Sequence, residues 1–139
     1  MRQQLMAGLV ALMATFGVMV AGNTELQAQR ARDWALLGER TVTDRGDHDT
    51  ITVSGVRGTF TAVKFEVQRH AVDFQRVVIH FGNGDDQKLD LRDTIRAGGE
   101  TRVIDIEGAN RVIRSIDFWY DANTIGRGGR AVVRALGRR

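Results

Sequence analysis

From Thr59 to Phe81 the chain reads TFTAVKFEVQRHAVDFQRVVIHF, and its apolar side chains recur at every second position over long stretches. A period of two is what a strand with one buried face requires, whereas an amphipathic helix needs a period of 3.6. The same alternation returns in RVIRSIDFWY (111–120) and GRAVVRALG (129–137). No stretch after Asp33 carries a helical apolar stripe over three turns. Clusters of Gly, Asp and Asn separate the alternating runs, and the chain contains no proline. Runs of this kind with regular turn signals are the mark of an all-β domain.

Eight strands are expected: 34–42, 49–53, 59–67, 72–81, 87–91, 101–106, 111–120 and 129–137. The alternation also assigns faces. Val63, Phe65 and Val67 share the core face of the third strand, opposite Ala62, Lys64 and Glu66. Val77, Ile79 and Phe81 point inward in the fourth, opposite Arg76, Val78 and His80. Ile116, Phe118 and Tyr120 point inward in the seventh, opposite Ser115, Asp117 and Trp119. One buried and one solvated face belongs to antiparallel sheets. The expected fold is therefore an antiparallel two-sheet β-sandwich of jelly-roll type. Trp34 is expected to plug the open end of the sandwich.

The segment before this domain has a different character. A basic start, MRQQ, precedes an uncharged run from Leu5 to Gly22 and then NTELQAQ. That order is a secretory signal peptide. Residues 1–28 are read as signal peptide and 29–139 as the sandwich. Retention of the first segment would make it a membrane anchor, since about 18 apolar residues is the lower limit for a span. The expected location is periplasmic or extracellular. Cysteine is absent, so disulfides cannot stabilise the fold and packing must do so. The net charge is +3, with 20 basic and 17 acidic residues closely interspersed. Such a mixed surface lacks the basic stripe of a nucleic-acid binder.

HFGNGDDQKLDL (80–91) has the chemistry of a hairpin bend, with Asn83 and Gly84 supplying positive φ. A phosphate loop would need a Gly-Lys-Ser/Thr ending, which is missing. Asp85 and Asp86 are adjacent in a strand and point opposite ways, so they do not form a metal site. Valine at Gly84 is expected to destabilise the fold, and asparagine at Asp86 to do little. DRGDHDT (44–50) gathers Asp44, Asp47, His48 and Asp49, and reads as a solvated turn in which Asp47 or Asp49 closes an Asx turn.

Candidate site residues come from the outward positions. Trp119 is placed to stack on a sugar ring or a partner side chain. Asp117, His80 and Arg76 share its sheet face in this reading, and the four are the candidate ligand-binding set. The irregular insert 92–106 and the loop NTIGRGGR (123–130) carry Arg96, Arg102 and Arg127. At one end of the sandwich these arginines would form an anion site. Their alternative role is pairing with Asp90, Asp93, Glu100 and Asp121. Ser54 and Ser115 lie outside any nucleophile elbow, the three histidines lack metal-ligand spacing, and no cofactor is implied.

The blocks WALLGERTV, FGNGDDQKLDLRDTIRAGGETRVIDI, RVIRSIDFWY and GRAVVRALG together resemble a group of small exported bacterial proteins, mostly proteobacterial, that share a domain of unknown function. The resemblance spans Trp34 to Gly137 and implies export without bringing catalytic residues. The late strand and the closing AVVRALG are also similar to galactose-binding-like jelly rolls, which implies ligand binding by analogy. The leading expectation is a non-catalytic envelope module that binds a glycan or a protein. A small periplasmic hydrolase or lyase using sheet-face acids and His80 is the alternative, and a structural or stress-related envelope protein is the third. Oligomeric state is not legible.

Overall fold

The computed structural model describes residues 24–26, 28 and 33–139. The chain divides into two compact units, Met1–Asp33 and Trp34–Arg139. Residues 24–26 and 28 of the first are helical, and the rest of the expected signal segment lies outside the described residues.

The second unit holds eight strands in the order β1 (Trp34–Thr43), β2 (His48–Thr52), β3 (Ala62–Gln68), β4 (Val72–Phe81), β5 (Asp86–Ile95), β6 (Ile104–Asp105), β7 (Ile113–Asp121) and β8 (Arg130–Arg138). A short 3₁₀ turn, Ala122–Ile125, follows β7. One sheet has the order β1-β8-β3-β6 and the other β2-β7-β4-β5. The pairs β1·β8, β2·β7, β3·β6 and β4·β5 are all antiparallel. First pairs with last, second with seventh, third with sixth, fourth with fifth. That is a long hairpin rolled into a sandwich, the jelly roll.

The alternation placed the core well. Val63, Phe65, Val67, Val77, Ile79, Phe81, Ile116, Phe118 and Tyr120 are all buried. Phe65, Phe74 and Phe118 form an aromatic triangle with centroids 5.6–6.3 Å apart, and Tyr120 extends it at 5.7 Å from Phe118. Tilted rings at these separations are favourable beyond the area they bury. Val78 breaks the pattern: it faces outward yet is only 3% exposed.

Three expectations change. Arg92–Ile95 is not irregular insert but the end of β5. Its signal is obscured because only Leu91 and Ile95 are buried there, a spacing of four, and Arg92 takes a φ of +33° that breaks the alternation. The sixth strand shrinks to Ile104–Asp105. Trp34 does not plug an end. It lies beside Lys64 and Arg138, 4.4 and 5.5 Å from its ring, and both project from the outer face of their sheet.

The GNG bend is a hairpin turn. Gly84 N–H donates to Phe81 O at 3.1 Å, and Phe81 N–H to Asp85 O at 2.9 Å. Gly84 has φ +96°, while Asn83 stays out of the left-handed region. Asn83 works through its side chain instead, its Oδ1 accepting from Asp85 N–H at 3.0 Å as an Asx turn. Arg111 Nη2 then donates to Asn83 Oδ1 at 2.9 Å and Asp85 Oδ2 at 3.0 Å. Asn83 Nδ2 also donates to Asp85 Oδ2 at 2.9 Å, and this bond, followed by the one from Arg111, holds the exposed Asp85 carboxyl below its usual range.

A polar and aromatic network on the β2-β7-β4-β5 face

The outer face of the second sheet is organised in cross-strand rows fixed by register. His48, Trp119 and Arg76 form one, Thr50, Asp117, Val78 and Lys88 the next. Ser115, His80 and Asp86 form the third. The alternation of β4 and β7 sends these side chains outward because their neighbours fill the core.

In the first row the His48 ring stacks on Trp119, with centroids 4.4 Å apart and planes 17° from parallel. Arg76 places its guanidinium 4.5 Å from the Trp119 centroid. β2 and β4 flank β7, so the imidazole and the guanidinium approach the indole from opposite sides. Trp119 is half-buried between them rather than open.

The other rows form a chain of hydrogen bonds. His80 Nε2 lies 2.6 Å from Asp117 Oδ2, and His80 Nδ1 lies 2.6 Å from Asp86 Oδ1. Thr50 Oγ1 donates to Asp117 Oδ1. His48 Nε2 sits 3.5 Å from the same Asp117 oxygen, which joins the chain to the Trp119 stack. Two carboxylates facing both ring nitrogens favour the doubly protonated imidazolium, which alone donates in both directions. The bond to Asp117 is the main reason that the His80 pKa is raised above 6.5, with Asp86 adding to it against the cost of burial. Burial acts to raise the pKa of Asp117, but bonds from Thr50 and His80 and the nearby imidazoles outweigh it and leave it lowered.

The four expected residues Trp119, Asp117, His80 and Arg76 thus converge on one face. Sequence reasoning missed His48, Thr50 and Asp86. His48 belongs to the stretch expected from sequence to be a solvated acidic turn, yet that turn disperses its side chains. Asp49 accepts from Tyr120 OH at 2.8 Å and from Arg40 Nε at 3.1 Å, and Asp44 accepts from Gly128 N–H at 2.7 Å. Asp49 is therefore not the solvated Asx-turn residue expected. Asp86 was legible in principle, since a turn over Gly82–Asp85 sets it opposite His80. The β2·β7 pairing that brings His48 to Trp119 is long-range and leaves no local signal.

Ser115 stands opposite His80 in the register, but both imidazole nitrogens already face carboxylates. In the doubly protonated form that two carboxylates favour, neither nitrogen offers the lone pair with which a general base accepts a serine or water proton. Among the described residues no group of three or more His, Cys, Asp or Glu has metal-ligand geometry.

The expected arginine cluster is split. β5 ends and β8 begins at the same end of the sandwich, so Arg96 and Arg127 lie toward that end. Arg102 follows Thr101, whose N–H donates to Phe65 O, so it lies beside the middle of β3. Glu100 pairs with Lys64 at 3.0 Å rather than with an arginine.

A family model described as "Domain of unknown function (DUF2541)" matches residues 9–137. A search of curated proteins gave no match. Among solved structures, AlgX of Pseudomonas aeruginosa superposes with a TM-score of 0.52 at 15% identity, covering 76% of this chain and 26% of that one. This chain therefore corresponds to about a quarter of AlgX. The xylan-binding module CBM86 of Roseburia intestinalis gives 0.44 at 13% identity, covering 77% and 83%. A family 29 carbohydrate-binding module gives 0.37 at 14% identity, covering 76% and 73%. Of these three, AlgX alone exceeds 0.5, and at its low identity it speaks to the sandwich fold and no further.

Proposed function

Starting from a chain that belongs to the DUF2541 family, we propose that the sandwich is a non-catalytic carbohydrate-binding module that works outside the cytoplasm. The observation that carries this reading is the asymmetry around Trp119. One side of the indole is braced by His48, which is itself held near Asp117. The other side is faced by Arg76, which is itself exposed. A sugar ring that displaces Arg76 gains an aromatic face, and the freed guanidinium donates to its hydroxyls. An open cavity of about 280 Å³ bordered by Arg76, Lys88 and Asp90 adjoins this position. Saturation of His80 at both nitrogens weighs against the hydrolase alternative.

A glycan array with the purified protein, followed by NMR titration of the best hit, tests the reading. Shifts should centre on His48, Arg76 and Trp119, and Trp119→Ala should abolish binding while the protein stays folded. Failure to bind any glycan, or binding indifferent to Trp119, would refute it. Mass spectrometry of protein from the native host tests the export component, with an N-terminus expected between roughly residues 23 and 30. An intact N-terminus in the membrane fraction would replace the signal peptide with an anchor.

A further inference from the structure

A second feature lies away from that face, where the β1–β2 turn meets the loop leading into β8. Asp44 and Arg45 on one side and Arg127 to Arg130 on the other, with Thr43 between, enclose an open cavity of about 680 Å³. The strands fix the meeting: Thr43, the last residue of β1, pairs with Arg130, the first of β8. The Asp44 carboxylate ties the loops together through Gly128 N–H at 2.7 Å.

The loop is shaped to leave this space. Gly126 and Gly128 adopt φ of +81° and +73°, and Gly129 N–H closes a turn onto Gly126 O at 3.0 Å. A Cβ on Gly129 would collide with Ile125 O, so only glycine fits. Gly128 and Gly129 therefore present bare backbone to the cavity.

Three arginines line it against one acidic residue. Among the described residues the side chains of Arg45, Arg127 and Arg130 have neither a hydrogen bond nor an ion pair. The Asp44 carboxylate is engaged by backbone. Three arginines elsewhere have a carboxylate partner, Arg40 with Asp49, Arg111 with Asp85 and Arg134 with Glu39. Like charges gathered without partners repel, and an oxyanion between them removes that repulsion while gaining charge-assisted bonds.

We propose that this cavity binds an oxyanion group, a carboxylate or a phosphate, through Arg45, Arg127 and Arg130. Of the arginines expected from sequence to form such a site, Arg127 takes part, and Arg45 and Arg130 replace Arg96 and Arg102. The site is separate from the Trp119 face and does not depend on a glycan binding there.

The test titrates the full chain with two families of probe, inorganic phosphate and tripolyphosphate in one arm and galacturonate oligomers in the other. Neutral cello-oligosaccharides serve as control. Backbone shifts should appear at residues 44–46 and 127–130 in at least one arm, and the responding arm identifies the source of the anion. Affinity should fall with added salt, because exposed charges are screened. The triple variant Arg45→Gln, Arg127→Gln, Arg130→Gln should lose about tenfold or more in affinity with its melting temperature intact, since no fold contact is removed. Trp119→Ala should leave anion binding unchanged, which separates this site from the glycan reading. Absence of shifts in both arms, or equal binding by the triple variant, would overturn the proposal.

Discussion

His80 reaches Asp117 diagonally across the β4–β7 pair, Nε2 to Oδ2 at 2.6 Å, although its direct register partner is Ser115. Diagonal neighbours lie within reach of long side chains in an antiparallel ladder. The contact gives the sheet face a pH dependence with a defined sign. A histidine whose pKa is raised on folding stabilises fully below its unfolded value of 6.5 and loses that contribution as pH rises through its folded value. Asp117, lowered on folding, contributes above 3.8 and loses it as pH falls through its folded value. The pair is therefore most stabilising between these limits. Thermal melts of wild type and His80→Gln should differ most between the ordinary carboxylate and imidazole values and converge as pH rises through the raised His80 value. A gap that widens with pH would contradict the ion-pair assignment.

Asp86→Asn is expected to narrow the same gap at low pH, because Asp86 holds the other imidazole nitrogen at 2.6 Å. This reverses the expectation from sequence that the substitution does little. Melts of the single and double variants with His80→Gln measure it, and the two effects should be less than additive, as for any directly bonded pair.

The aromatic triangle sets the scale of the core. Phe65→Ala and Phe118→Ala each remove a fully buried ring that touches both neighbours of the cluster, and each should cost roughly 3–5 kcal/mol. Urea denaturation reads the loss directly. An unchanged midpoint in either variant would mean that the rings are not packed as described.

Gly46 and Tyr120 form a closer test of geometry. A Cβ on Gly46 would strike the Tyr120 hydroxyl, forcing that hydroxyl away from Asp49. Gly46→Ala should destabilise by roughly 1–3 kcal/mol, as overpacking does. Tyr120→Phe should cost about 0.5–1.5 kcal/mol for the lost hydrogen bond. Because the clash is with the oxygen, Gly46→Ala should become much milder in the Tyr120→Phe background. Burial, then Asp49, raises the Tyr120 pKa, so its ultraviolet titration should be shifted upward in wild type and relax toward normal in Gly46→Ala.

Gly84→Val tests the turn by backbone alone. Nothing lies within 4 Å of a Cβ built there, so any cost comes from the φ of +96°. About 1–3 kcal/mol of destabilisation is expected in a melt. A neutral substitution would mean that the turn relaxes to another form.

The parts of this structure that were legible in the sequence are those governed by neighbours in the chain. Val77, Ile79 and Phe81 declare their face because each is two residues from the next. Gly84 declares its turn because few other residues tolerate its φ. The end of β5 was hidden, since Leu91 and Ile95 sit four apart with Arg92 in a left-handed conformation between them. The site was half legible. Alternation alone put Trp119, Asp117, His80 and Arg76 on one face. The stacking of His48 on Trp119 depends on pairing two strands far apart in sequence, and no local pattern encodes it.

The closing of the first sheet has a kinetic consequence. β8, the last strand, sits inside the sheet with β1 on one side and β3 on the other. β1 and β3 are joined only through it, so β1 cannot enter that sheet until β8 is present. The β4–β5 hairpin can form as soon as its turn exists, whereas half the sandwich waits for Arg130–Arg138. Such long-range closure folds slowly compared with local pairing. In a chain made N-terminus first, all four strands of the β2-β7-β4-β5 sheet are thus present before the strand that joins β1 to β3.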